Sequence, residues 1–138
     1  MKPLYTAVAT ATGDGRNGHV TSADGFVDTD VRIPKEMGGG GGATNPEELF
    51  AAGYAACFHS AMKFVGRESK ADLTGTEVAA QVSIGTLESG GFGLAVQLDV
   101  TAPALDHDAA VALVEKAHET CPYSNATRGN VEVTLNVL

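Results

Sequence analysis

The chain has 138 residues, of which 43% are hydrophobic and 19% charged, and its 9 Lys and Arg against 17 Asp and Glu give a formal charge of −8. A chain of this length buries roughly two-thirds of its unfolded surface and can fold on its own core, so residues 1–138 read as one soluble domain that does not need its two cysteines as staples. The acidic balance works against nucleic acid or an anionic membrane as partner, because either requires a dense Lys/Arg patch.

The opening MKPLYTAVATATGDG carries one lysine but no apolar run of signal-peptide length, and no stretch approaches the roughly 18 apolar residues of a membrane span. The expected compartment is therefore the reducing cytoplasm, where paired cysteines are more often catalytic, redox-sensing or metal-binding than permanently bridged. There Asn125-Ala126-Thr127 is a chance match to the glycosylation pattern.

Residues 4–11, 18–22 and 25–33 alternate or are rich in β-branched side chains, with Gly13, Gly15, Gly18, Asp24 and Gly25 marking the turns. They predict three short strands. The glycine run at 38–42 crosses into Thr44-Asn45-Pro46-Glu47-Glu48, where Asn45 fits an N-cap, Pro46 the first helical position and Glu48 the capping-box acid. The helix begun there runs to about Val65 and is apolar almost all round, which predicts burial on most sides. Val78, Ala80, Val82 and Ile84 alternate with polar residues, as do Leu94, Val96, Leu98 and Val100, and the Gly90-Gly91 turn between them predicts a hairpin. A second helix at about 106–121 sets Ala110, Leu113, Val114, Ala117 and Cys121 along one stripe, and a last strand covers 131–137. The order β-β-β-α-β-β-α-β is an α+β fold.

Cys57 lies inside the apolar helix and Cys121 ends the second helix before Pro122, 64 positions away. Free cysteines often serve as small core hydrophobes, and these two fit that description as well as a reactive pair. They do not form a C-x-x-C motif. His59 and His118 bring the nitrogen and sulfur ligands to four, enough for zinc, but neighbours two apart on a helix point to different sides, which separates Cys57 from His59.

A reactive thiol acts as thiolate, and an apolar helix raises a cysteine pKa unless a cation is brought close. Arg16, in the Gly13–Gly18 turn, is the candidate cation; the alternative is a solvated turn arginine. Glu47 is able to hold that guanidinium by a bidentate pair, and equally fits a first-turn acid complementing the helix dipole. It precedes Cys57 by ten residues, about 15 Å of helix. A site using both would need a long arginine reach or a glutamate from a second copy. Phe50, Tyr54, Phe58 and Phe92 suit either a pocket for an apolar substrate or core packing. The glycine run lacks a P-loop's Gly-Lys-Ser/Thr ending, and there is no G-x-S-x-G elbow.

Taken together, the run Asn45-Pro46-Glu47-Glu48-Leu49-Phe50-Ala51-Ala52-Gly53-Tyr54-Ala55-Ala56-Cys57-Phe58, Ala117-His118, and Cys121-Pro122-Tyr123-Ser124-Asn125-Ala126-Thr127-Arg128-Gly129-Asn130 closely resemble the organic hydroperoxide resistance (Ohr) proteins of the OsmC-like family. Tyr5-Thr6-Ala7 through Gly18 and Gly90-Gly91-Phe92-Gly93-Leu94 extend the match over the whole chain, although the turn at Arg16 is longer than the family's Gly-Gly-Arg form.

The resemblance implies an OsmC-like fold, with curved sheets around central helices in an intertwined homodimer. It also implies a thiol-dependent peroxidase that reduces organic hydroperoxides to alcohols and protects against oxidative stress. Cys57 then takes the peroxidatic role and Cys121 the resolving role, closing an intramolecular disulfide, while Arg16 and Glu47 tune the thiolate. No metal or bound cofactor is implied; the reductant is a dithiol, the lipoyl group of a carrier protein. A non-enzymatic thiol sensor or ligand-binding protein on the same fold is the alternative, but the sequence holds no DNA-reading helix or basic patch to pass on such a signal.

Overall fold

Three short strands, β1 (Ala9–Thr12), β2 (His19–Ser22) and β3 (Asp28–Asp30), form an antiparallel sheet in that order. Pairing starts only at Ala9, opposite Ser22, because β2 offers four residues before the Asp24-Gly25 turn. The strand predicted over 4–11 is shorter for that reason, and Leu4 and Tyr5 stand exposed. Likewise only Asp28–Asp30 of the predicted 25–33 pairs with β2, against His19, Val20 and Thr21.

The computed structural model describes residues 1–138, which gather into two compact units, Met1–Leu49 and Phe50–Leu138. In the first, Val31 bridges in parallel to Thr44 and is buried. Helix α1 (Pro46–Glu68) starts there. Asn45 caps it as predicted, its Oδ1 accepting from the Glu48 N–H at 2.9 Å, while the Glu48 carboxylate accepts from the Thr44 hydroxyl at 2.7 Å.

α1 ends in a Schellman motif: the Ala71 N–H donates to the Gly66 carbonyl at 2.9 Å and the Lys70 N–H to Arg67 at 3.3 Å, with Lys70 in the left-handed region at φ 54°. The expectation of burial on most sides is corrected by the chain itself. Tyr54, Phe58, Ala61, Met62, Val65 and Gly66 are buried, but Ala52, Ala56 and Phe64 form an exposed apolar stripe, because this chain supplies neighbours on only one face.

The second sheet consists of β4 (Glu77–Thr86), β5 (Phe92–Thr101) and β6 (Glu132–Val137), with β4 antiparallel and β6 parallel to the central β5. The register aligns three apolar rows, Val82–Val96–Val133, Ala80–Leu98–Leu135 and Val78–Val100–Val137. The parallel return from β5 to β6 requires a crossover, made by α2 (His107–Thr120) and α3 (Pro122–Thr127). The core of this unit packs those rows against Tyr54, Phe58, Met62 and Val65 of α1 and Leu113, Val114 and Ala117 of α2. Thus the order is β-β-β-α-β-β-α-α-β; α3, six residues long, is the element the sequence pattern did not announce.

Lys70 carries the energetic cost of a side chain in the left-handed conformation, so Lys70→Gly is expected to stabilise the protein by about 0.5–1 kcal/mol. Asn45→Ala removes the cap and is expected to cost about 1 kcal/mol. Denaturant midpoints check both; a lowered midpoint for Lys70→Gly contradicts the assignment of the helix end.

Candidate active site

Cys57 sits half-buried on α1, and Cys121 is fully buried at the corner between α2 and α3. Pro122 creates that corner. A residue before proline is pushed out of the helical region, and Cys121 is extended at φ −64°, ψ 125°, while Pro122 takes the first turn of α3, where its missing N–H costs nothing. The Cys121 N–H still donates to the Ala117 carbonyl at 2.8 Å, fixing the corner to the end of α2. The two Sγ atoms are 3.6 Å apart and share a thiol–thiol hydrogen bond. This is contact without a covalent bond, which would need about 2.05 Å.

Gly53 lets α3 come this close. A Cβ at that position would lie 2.9 Å from the Tyr123 phenol oxygen and 3.3 Å from its ring, which explains a glycine inside a helix where it costs about 1 kcal/mol against alanine. Phe50, Tyr54 and Tyr123 form an aromatic cluster, with centroid distances of 5.6 to 6.1 Å.

Burial pushes the Cys57 thiol above its ordinary range; a hydrogen bond from the Tyr123 backbone works the other way, and the neighbouring Cys121 thiol adds to the rise. Within Phe50–Leu138 no cation offsets the burial.

The first unit holds Arg16 and Glu47 together. Arg16 is carried by a short 3-10 turn, Gly15–Asn17, and its guanidinium donates in bidentate fashion, Nη1 to Oε2 and Nη2 to Oε1, both at 2.8 Å. The arginine hydrogen bond holds the Glu47 carboxyl below the usual range against the opposing effect of burial, with a backbone hydrogen bond and then the arginine charge adding to it. The turn is tied down from behind, with Arg32 donating to the carbonyls of Asn17, Gly18 and Val31. Gly18 is obligatory there, since a Cβ would stand 2.1 Å from the Thr12 carbonyl oxygen.

The two histidines are each engaged by a hydroxyl. His59 Nε2 lies 2.9 Å from Thr76 Oγ1, and burial, then the nearby Lys63 charge, lowers its pKa. His118 Nδ1 lies 2.8 Å from Ser124 Oγ, and burial, then Arg128, lowers its pKa as well. No three His, Cys, Asp or Glu side chains gather into a metal-binding group.

Of the aromatic residues singled out from the sequence, Tyr54 and Phe58 are fully buried in the core, Phe50 packs against it, and Phe92 is 71% exposed at the start of β5. None of them lines the groove of about 780 Å³ that opens beside Cys57 between Ser60, Phe64 and Arg67 of α1 and the Thr120–Pro122 corner. Phe64, two turns from Cys57 along the same helical face, is the apolar lining residue that the sequence reading missed. Its spacing was the available signal.

Residues 38–136 match the family described as OsmC-like protein. Across its length the chain is 52% identical to an organic hydroperoxide resistance protein of Xanthomonas axonopodis pv. citri, covering 99% of this chain and 96% of that one. It is 50% identical to OhrB of Bacillus subtilis, covering 97% and 98%. The crystal structure of an organic hydroperoxide resistance protein from Legionella pneumophila superimposes with a TM-score of 0.94 at 52% identity, covering 99% of this chain and 98% of that one. The crystal structure of Bacillus subtilis OhrB gives 0.90 at 48% identity over 99% and 100%. With the same α+β architecture and full-length similarity to proteins named for organic hydroperoxide resistance, the chain belongs to the OsmC/Ohr family.

Proposed function

We propose that this protein is a thiol-dependent peroxidase that reduces organic hydroperoxides to alcohols, with Cys57 as the peroxidatic and Cys121 as the resolving thiol. The observation that carries this reading is the 3.6 Å separation of two free thiols, one opening on a groove and the other buried behind it. Its relatives' names supply the substrate class.

The Cys57 thiolate attacks one peroxide oxygen; the S–O bond forms as O–O breaks, and the departing alkoxide takes a proton to leave as alcohol. Sulfur is oxidised to sulfenic acid. Cys121 gives up its proton and attacks that sulfur; the S–S bond forms as S–O breaks, and the departing hydroxide takes a proton to leave as water, closing an intramolecular disulfide. An external dithiol, in our reading the lipoyl group of a carrier protein, then restores both thiols by exchange.

The chemistry demands an anionic Cys57, whereas burial opposes one. We assign the compensating charge to Arg16, brought to the thiol in an assembled homodimer and aimed by its bidentate partner Glu47. Arginine is suited to this because it stays charged when desolvated. The exposed stripe Ala52–Ala56–Phe64 and the 93% exposed Phe26 are the apolar surfaces such a partner would cover. No helix is long and apolar enough to cross a membrane, and we place the protein in the cytoplasm, where free thiols persist.

Turnover with an organic hydroperoxide and a dithiol tests the roles. Cys57→Ser is expected to consume none, and Cys121→Ser to react once and leave a trapped sulfenic acid. Multiple turnover by Cys57→Ser contradicts the assignment, and wild-type consumption that stops at one equivalent per chain marks a sensor instead. Arg16→Ala is expected to slow the first oxidation about a hundredfold at neutral pH and to shift its pH profile upward, as a thiol without its cation titrates later. An unchanged profile removes Arg16 from the site. Phe64→Lys is expected to weaken the homodimer in sedimentation; an unaffected mass places the interface elsewhere.

A further inference from the structure

Beside the sulfur contact, α1 makes a second polar rung with the segment that follows Cys121. Cys57 meets Cys121 at 3.6 Å, and one turn earlier on α1 Tyr54 meets Ser124, three residues after Cys121, at 2.9 Å between hydroxyl oxygens. The rungs run in opposite directions along the two helices and stand about 4.5 Å apart along α1. Tyr54, Ser124 and Thr127 are all buried. The acceptors in this cluster fix the direction of each hydrogen bond in turn.

Thr127 Oγ1 lies 3.0 Å from the Tyr123 carbonyl and 3.1 Å from the Ser124 carbonyl, and carbonyls only accept, so the threonine hydroxyl has spent its one proton. The 3.2 Å contact between Tyr54 and Thr127 is then made by the tyrosine proton. Tyr54 has none left for Ser124, so the serine hydroxyl donates to Tyr54. Ser124 in turn has none left for His118, so the 2.8 Å contact requires a proton on His118 Nδ1. Burial, then the Arg128 charge, lowers the imidazole pKa and so disfavours a second proton on Nε2. At the far end, Arg128 donates to the His118 carbonyl at 2.6 Å, tying the end of α2 to the end of α3 on either side of Cys121.

We propose that His118, Ser124 and Thr127 are positioning residues for the resolving thiol: a one-way chain, His118 Nδ1–H to Ser124 O–H to Tyr54 O–H to Thr127 O–H to carbonyl, locks α3 onto α1 in the register that holds Cys121 against Cys57. The inference rests on the peroxidase reading for its kinetic consequence but not for its proton assignment. The chain does not touch the peroxide; it acts on the second step, where the resolving sulfur must find the sulfenic sulfur before a second peroxide does.

Two measurements test it. Nitrogen NMR of the reduced wild-type protein is expected to show His118 as the Nδ1–H tautomer, with the preference lost in Ser124→Ala; an Nε2–H tautomer in the wild type overturns the chain. Stopped-flow oxidation separates the two steps. Ser124→Ala and Thr127→Val are expected to form sulfenic acid at the wild-type rate and to close the disulfide about tenfold more slowly, the effect of one net hydrogen bond, with a matching rise in sulfinic acid. Unchanged closure overturns the proposal, and so does equal slowing of both steps, which signals a merely structural role. A wild-type protein that forms neither sulfenic acid nor disulfide contradicts the peroxidase reading instead, and the tautomer measurement still decides the proton chain.

Discussion

The approach of two sulfur atoms to 3.6 Å is the constraint around which this molecule is arranged. It brings together residues from two helices 64 positions apart, and each side needs its own device. On α1, Gly53 makes room for the Tyr123 ring. On the other side, Pro122 breaks the helix at Cys121, so that α2 ends and α3 begins on either side of the thiol. The β5–α2–α3–β6 crossover anchors both through the apolar rows of the second sheet.

The same burial that brings the sulfurs together opposes their chemistry. A thiol withdrawn from water is harder to ionise, and the second unit contains nothing that compensates for Cys57 beyond a backbone hydrogen bond from Tyr123. The first unit holds a guanidinium aligned by a carboxylate on a turn fastened by Arg32. The thiol pair belongs to the second unit and the cation to the first, and α1 leaves the apolar side chains of Ala52, Ala56 and Phe64 uncovered.

Much of this was legible in the residues. The cap at Asn45, the proline entry to α1, the alternating hairpin and the Arg16–Glu47 pair all follow from local chemistry, because each is decided by neighbours in sequence or by a charge seeking its opposite. Three things were not legible. The sulfur-to-sulfur distance depends on a tertiary crossing that no spacing encodes. Helix α3 is too short for hydrophobic periodicity, and its only signal was Pro122 following Cys121. The apolar character of α1 predicts burial on most sides, yet composition does not say what covers each face, and this chain leaves Ala52, Ala56 and Phe64 exposed. Resemblance to a known family implies roles for the residues, whereas the register of the Tyr54–Ser124 contact is set by tertiary packing.

The most direct test is to oxidise the reduced protein at low concentration with one equivalent of an organic hydroperoxide and map the product by peptide mass spectrometry. One alcohol released per chain and a single disulfide joining Cys57 to Cys121 of the same chain are expected. A product in which Cys121 stays free, or in which the disulfide links two chains, would contradict that expectation.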